Sequence, residues 1–408
     1  MRATPRVLGY LTVFQSRLGL LNLVLMHTEP GRTGEAILRR RIERTLRAQV
    51  SVGLPEFGGT RFQRYFAEKR LIGSSPNSSG RYRGWSTLRT EQGLVPQYQN
   101  SDVDEFPMAL VDYWLSDPRC PSSVGVPTAE NLRESIDFSL AVDVLSRTRW
   151  SPSGLGASIL ALRQVKADDN PFVLGLERCS LLRALLMSDG EVLVPLLEAA
   201  NQYPESFSRD EIATQFPEIL REVFEASRRL YPRGEWISDF KRLLGAVERS
   251  AQASESSGGP GVLEHRVSPR LEWLVDLGFL AKPSEKNSFR YEVSSRCRTA
   301  LEALRVADLD ESVVRASYAL GFFDDAACMG EGIRPVEDAV LTSYRSLASS
   351  VGAVAISEVA FVAACLLDGN TPVAQVRQTI LELAGKDSRV TLVGGRYDRS
   401  PRGIHVRE

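Results

Sequence analysis

SPRLEWLVDLGFLAKPSEKNSFRYEVS, residues 268–294, changes its period in mid-course. Leu271, Leu274, Val275 and Gly278 recur at helical spacing, which predicts a helix over 270–280. From Phe289 the spacing becomes alternation, with Phe289, Tyr291 and Val293 on one face and Arg290 and Glu292 on the other. The polar run PSEKNS lies between. Helix, strand, charged turn and strand form the second half of a winged helix, a module whose usual work is holding nucleic acid.

The same pattern recurs on both sides. Towards the C-terminus, PVEDAVLTSYRSLASSVGA and ISEVAFVAACLLDG read as two helices. Thr371 is a candidate N-cap with Pro372 in the first turn of a third, VAQVRQTILELAG. RVTLV, GGRYDRSP and RGIHV then read as an arginine-rich hairpin. Before the opening stretch, LLRALLMSDGEVLVPLLEAA and SRDEIATQF read as first and second helices, with Ser208 and Glu211 placed for a capping box. RSAQASESSGGPGV at 249–262 is small and polar and reads as a flexible insertion. Near the N-terminus, TRFQRYFAEKRLIGSSPNSSGRYRGWSTL is a degenerate copy. The expected class is therefore mainly α with small β-hairpins (α+β), as three tandem winged-helix modules over 1–150, 151–307 and 308–408. The middle boundaries fall at SPSGLG with KADDNP and at ADLDES. Residues 101–150 read as helical without an assigned role.

Composition narrows the function classes. Among 408 residues, 43% are hydrophobic and 25% charged, which is ordinary for a soluble globular protein with a sizeable core. The net charge of −1 announces no global basic field, so any nucleic-acid surface must be local. Only six of the cationic residues are lysines. That bias suits bidentate recognition of phosphate or guanine, or reflects base composition of the coding DNA. The five cysteines (Cys120, Cys179, Cys297, Cys328 and Cys365) show no CxxC spacing, so neither zinc site nor disulfide framework is expected, and a reducing cytoplasm fits. VLGYLTVFQSRLGLLNLVLM, interrupted by Gln15, Arg17 and Asn22, reads as folded core rather than a membrane anchor.

A winged helix meets DNA through its third helix and its hairpin. In the N-terminal module the candidate DNA-binding residues are Arg61, Gln63 and Arg64, with Arg81 and Arg83. The middle module offers His265, Arg266, Ser268 and Arg270, with Lys282, Lys286 and Arg290 on the hairpin. The C-terminal module offers Gln375, Arg377 and Gln378, with Arg396, Arg399 and Arg402. Arginine and glutamine pair with guanine and adenine edges. The alternative is that these are solvated faces, or faces that hold a protein.

Catalytic signatures are thin: no Gly-rich phosphate loop, no HExxH, and three histidines, His27, His265 and His405. Asp239 and Lys241 have the acidic-x-Lys spacing of some metal-dependent nucleases, but ISDFKRLLGAV reads as a helix rather than the strand such a motif needs. The five tryptophans, Trp85, Trp114, Trp150, Trp236 and Trp273, read as core. No catalytic residue, metal or cofactor is assigned.

Three winged helices in one chain resemble the DNA-recognition part of FokI-like type IIS restriction endonucleases. LGYLTVFQSRLGLLNLVL resembles that family's opening segment, SPRLEWLVDLGFLAK with FRYEVSSRCRTALEAL its second module, and VRQTILELAGKDSRVTLVGGRYD its third. The resemblance implies a nuclease domain after the third module, whereas this chain ends at Glu408. Cleavage would then be expected from a nuclease or other effector subunit. The expectation is a cytoplasmic, sequence-preferring double-stranded DNA-binding protein, the recognition component of a prokaryotic restriction or phage-defence system. A winged-helix scaffold for protein partners, and a metal-dependent nuclease, are the alternatives.

Overall fold

The computed structural model describes residues 7–8, 11, 17–28, 34–52, 114, 117, 119–120, 129–165, 170–257, 263–283, 290–304, 335–348, 353–367, 371–394 and 401–407. The described chain is mainly helical with two small antiparallel sheets. Five helices come first: α1 (Gly19–Leu25), α2 (Glu35–Val52), α3 (Ala129–Ala141), α4 (Gly154–Val165) and α5 (Glu177–Ala200). All of α1 is buried, including Asn22, whose Nδ2 donates to the Pro171 carbonyl and to Glu177. Glu177 also accepts from Arg163 at 2.7 Å, so one buried carboxylate ties α1, α4 and α5 together.

From α5 onward the chain builds a recurring unit. β1 (Ser206–Ser208), α6 (Arg209–Leu230), α7 (Trp236–Ser257) and α8 (Glu264–Asp276) lead to β2 (Leu280–Ala281), β3 (Arg290–Val293) and α9 (Ser295–Leu304). The sheet runs β1-β3-β2, with Phe207 opposite Tyr291 and Leu280 opposite Val293. Alternation puts Phe207 and Tyr291 inward, their rings 5.6 Å apart.

The C-terminal unit repeats this order without an extra helix. It comprises α10 (Val336–Leu347), β4 (Val354–Ala355), α11 (Ile356–Leu366), α12 (Val373–Lys386), β5 (Val390–Gly394) and β6 (Pro401–Val406). Its sheet runs β4-β6-β5, so in both units the last strand in sequence is central. One apolar core runs from Leu8 to Ile404.

Local chemistry explains the boundaries. Ser208 caps α6, its Oγ accepting from Glu211 N–H while the Glu211 carboxylate accepts from Ser208 N–H, the capping box read from the sequence. That bond to the Ser208 backbone holds the Glu211 carboxyl below its usual range. Ser208→Ala should lower stability by about 1 kcal/mol, read as a drop in denaturation midpoint with unchanged m-value. An unaltered midpoint would mean that α6 does not depend on its cap.

α8 ends two residues before Gly278, which the helical spacing had counted as part of the helix. Gly278 has φ +80°, its N–H donates to the Val275 carbonyl, and Phe279 N–H donates to the Leu274 carbonyl. This is a Schellman ending, and it needs a residue without a Cβ. It turns the chain straight into β2, with no loop to spare.

Two further expectations are corrected. Part of the 249–262 stretch, as far as Ser257, is helical and continues α7, with Ala251 half-buried against the core. Its alanines and polar residues are adequate helix formers once the apolar turns before them are packed. α12 starts at Val373 with Pro372, not Thr371, as the N-cap, and the Pro372 carbonyl accepts from Gln375 and Val376.

Candidate nucleic-acid interface

The third helices of the two units are placed in opposite ways. In α8, Val267 through Leu277 are all buried. Arg270 is 1% exposed, and its Nε and Nη2 donate to the two oxygens of Asp189 on α5 at 2.7 and 3.0 Å. Its Nη2 also donates to the Leu8 carbonyl, while Leu8 N–H donates to Asp189 at 2.9 Å. Further along α8, Asp276 accepts from Leu18 N–H at 2.8 Å and pairs with Arg17 at 2.9 Å. Trp273 stacks on Phe138 of α3 with ring centroids 5.0 Å apart. The N-terminal segment and α3 therefore cover part of α8.

Several candidate residues are corrected by this packing. Arg270 and Ser268, the latter 2% exposed, offer no surface to a base edge. The Lys282 side chain is 2% exposed and pairs with fully buried Glu272 at 2.7 Å. Glu272 accepts from Tyr291 Oη as well, and burial beside that carboxylate raises the phenol well above its usual range. Lys282 thus stabilises the hairpin root rather than reaching outward. Arg266 is half-buried at the start of α8, and Arg290 is exposed but donates to Ser206 Oγ at 2.8 Å. His265 lies on α8, with its side chain outside the described residues.

α12 is the reverse case. Val373, Val376 and Ile380 are buried, while Gln375, Arg377 and Gln378 are exposed side by side on its first turns. Gln378 Nε2 donates to Glu382 at 3.3 Å, a weak link that leaves its amide oxygen available. On the hairpin, Arg402 is exposed on β6, while Arg389 is forked onto Asp387 at 2.8 Å and holds that carboxyl below its usual range.

What frees α12 is the docking of α11. That helix is apolar nearly all round, burying Val359 through Cys365. Its Glu358 accepts from Arg183 of α5 at 2.9 and 3.0 Å and from Ser158 of α4 at 2.9 Å. The Arg183 guanidinium lies 4.8 Å from the Phe361 ring centroid. With α11 turned inward, α12 and the hairpin are left at the surface.

Arg61, Gln63, Arg64, Arg81, Arg83, Lys286, Arg396 and Arg399 lie outside the described residues. Asp239 and Lys241 are on α7, a helix as the sequence indicated, and exposed Asp239 pairs with Arg242 at 2.6 Å. Among the described residues no group of three potential metal ligands converges, and no helix is long and apolar enough to cross a membrane. Cys120, Cys179, Cys297 and Cys365 are free and buried. Trp114, Trp236 and Trp273 are core, as read.

Sequence reasoning missed the buried acids Asp189, Glu177, Glu272 and Asp276 and the half-buried Glu358. A signal existed: each sits among the apolar residues of a helix, where an unpaired carboxylate would be costly and a partner must be supplied. No family model, curated protein or solved structure matches this chain.

Proposed function

We propose that this chain binds double-stranded DNA with sequence preference and that the C-terminal unit reads it. The order α10, β4, α11, α12, β5, β6 with β6 central is that of a winged helix, in which the third helix enters the major groove and the hairpin follows the backbone. The observation that carries the reading is the exposed trio Gln375, Arg377 and Gln378 at the start of that third helix, held from behind by Val373, Val376 and Ile380. These residue types make bidentate contacts to adenine and guanine edges. The middle unit has the same order with α7 inserted, and we read it as a second winged helix used for internal packing. The resemblance to type IIS recognition regions supports a setting in prokaryotic restriction or phage defence.

A second reading is a scaffold that binds protein partners; the burial of Val267 through Asp276 of α8 within its own chain removes one of the two third helices from DNA contact. Selection from a random-sequence duplex library across a salt series separates the two. An enriched motif with a steep salt dependence is the expected result. No binding even at low salt would overturn DNA recognition in favour of the scaffold.

A further inference from the structure

Beyond the C-terminal unit, one strongly charged surface has no part in what has been described. α2 reads EAILRRRIERTLRAQVSV and carries five arginines, Arg39, Arg40, Arg41, Arg44 and Arg47, against two glutamates, Glu35 and Glu43. In a chain of net charge −1 this is a local concentration of positive charge. Leu38 and Ile42, both 0% exposed, hold the helix to α1 and α3. Arg40 and Arg44 are four residues apart, so they stand side by side on one face, and both are exposed. Neither has a carboxylate partner among the described residues. Some exposed arginines on α6 and α7 are already paired: Arg221 with Glu218 and Glu248, and Arg242 with Asp239.

We infer that the Arg40–Arg44 face of α2 is a phosphate-backbone contact, a sequence-independent hold on the same duplex that the C-terminal unit reads; this rests on the DNA-binding proposal. Guanidinium groups suit phosphate because the planar fork donates two parallel hydrogen bonds to it. Two guanidinium groups one turn apart, with no carboxylate partner among the described residues, offer such forks. A protein partner would need apolar area to bury, and Ile37, 49% exposed, is the only exposed large hydrophobic residue of the helix among those described. An anionic lipid surface shares the charge but asks for a broader apolar face than one isoleucine.

The test uses the full chain, a labelled duplex of random sequence and a salt series. Arg40→Ala with Arg44→Ala should weaken binding about tenfold near 0.1 M salt and flatten the log–log salt slope by about 1.8, two phosphates at about 0.9 each. The motif selected from a library should be unchanged, and circular dichroism should match the parent. Arg40→Lys with Arg44→Lys, which keeps the charge, should retain most of the slope. If the alanine pair leaves affinity and slope untouched while Arg377→Ala alters binding, this inference falls and the C-terminal reading stands. If the parent chain binds no duplex at low salt, both fall. If the pair leaves DNA binding intact but abolishes binding to phosphatidylserine vesicles, the face belongs to a membrane surface and the inference is overturned.

Discussion

Arg270→Ala is expected to destabilise the protein by about 3–5 kcal/mol, the cost of breaking a buried ion pair by removing one partner. Asp189 would remain fully buried with only the Leu8 N–H donating to it. In the parent, burial raises the Asp189 carboxyl and the Arg270 guanidinium beside it opposes that rise. Without Arg270 the opposition is gone, so the folded-state pKa climbs further above its unfolded value. A buried acid raised in this way folds most readily when protonated. The deficit of Arg270→Ala should therefore be smallest in acid and grow as pH rises from the parent's raised folded-state value of the Asp189 carboxyl towards the variant's still higher one. Chemical denaturation from about pH 4 to 8 reads this directly. Arg270→Met with Asp189→Leu, which removes both charges, should recover most of the loss. A fully stable Arg270→Ala protein that had lost only its DNA preference would restore the original reading of this arginine as a base-contacting residue.

How much of this could be read from the sequence depends on how far away the deciding contacts lie. The capping box at Ser208 and Glu211, the helix 181–200, the helix within 335–353 as far as Leu347, and the inward placement of Tyr291 are set by neighbours a few residues apart. Those readings agree with the structure. The burial of α8 is set from elsewhere: Leu8 and Arg17 lie more than 250 residues away, and Phe138 comes from a stretch with no assigned role. A helix with charges at Arg270, Glu272 and Asp276 reads as half-solvated unless the partners that neutralise them are known. Gly278 misled differently, because it falls at helical spacing and only its positive φ reveals it as the terminator.

The two units thus bury their third helices to different extents, and the difference is traceable to side chains. α8 buries Trp273, Leu274 and Val275 in a row, which only a helix covered on every side can do. α12 buries residues only at positions 373, 376 and 380 and has polar residues between them, which fits one covered face. The deeply apolar helix of the C-terminal unit is the second, α11.

Gln375→Ala combined with Arg377→Ala is accordingly expected to erase the sequence preference of the protein while leaving its fold alone. Each bidentate base contact is worth roughly 1–3 kcal/mol of discrimination, so each substitution should relax selectivity at its own base pair by about 5- to 150-fold. Both side chains are exposed, so thermal stability should stay within about 0.5 kcal/mol of the parent. Arg377→Lys should not restore the preference, because an ammonium group cannot reproduce the planar fork. Library selection with each single variant reads the outcome position by position: Arg377→Ala should flatten a guanine position and Gln375→Ala an adenine one. Residual binding should keep nearly the parental salt slope, since base edges carry no counterions to release. If the double variant selects the same motif as the parent, α12 is not the reading helix. The exposed face of the C-terminal unit would then have to be tested against protein partners instead.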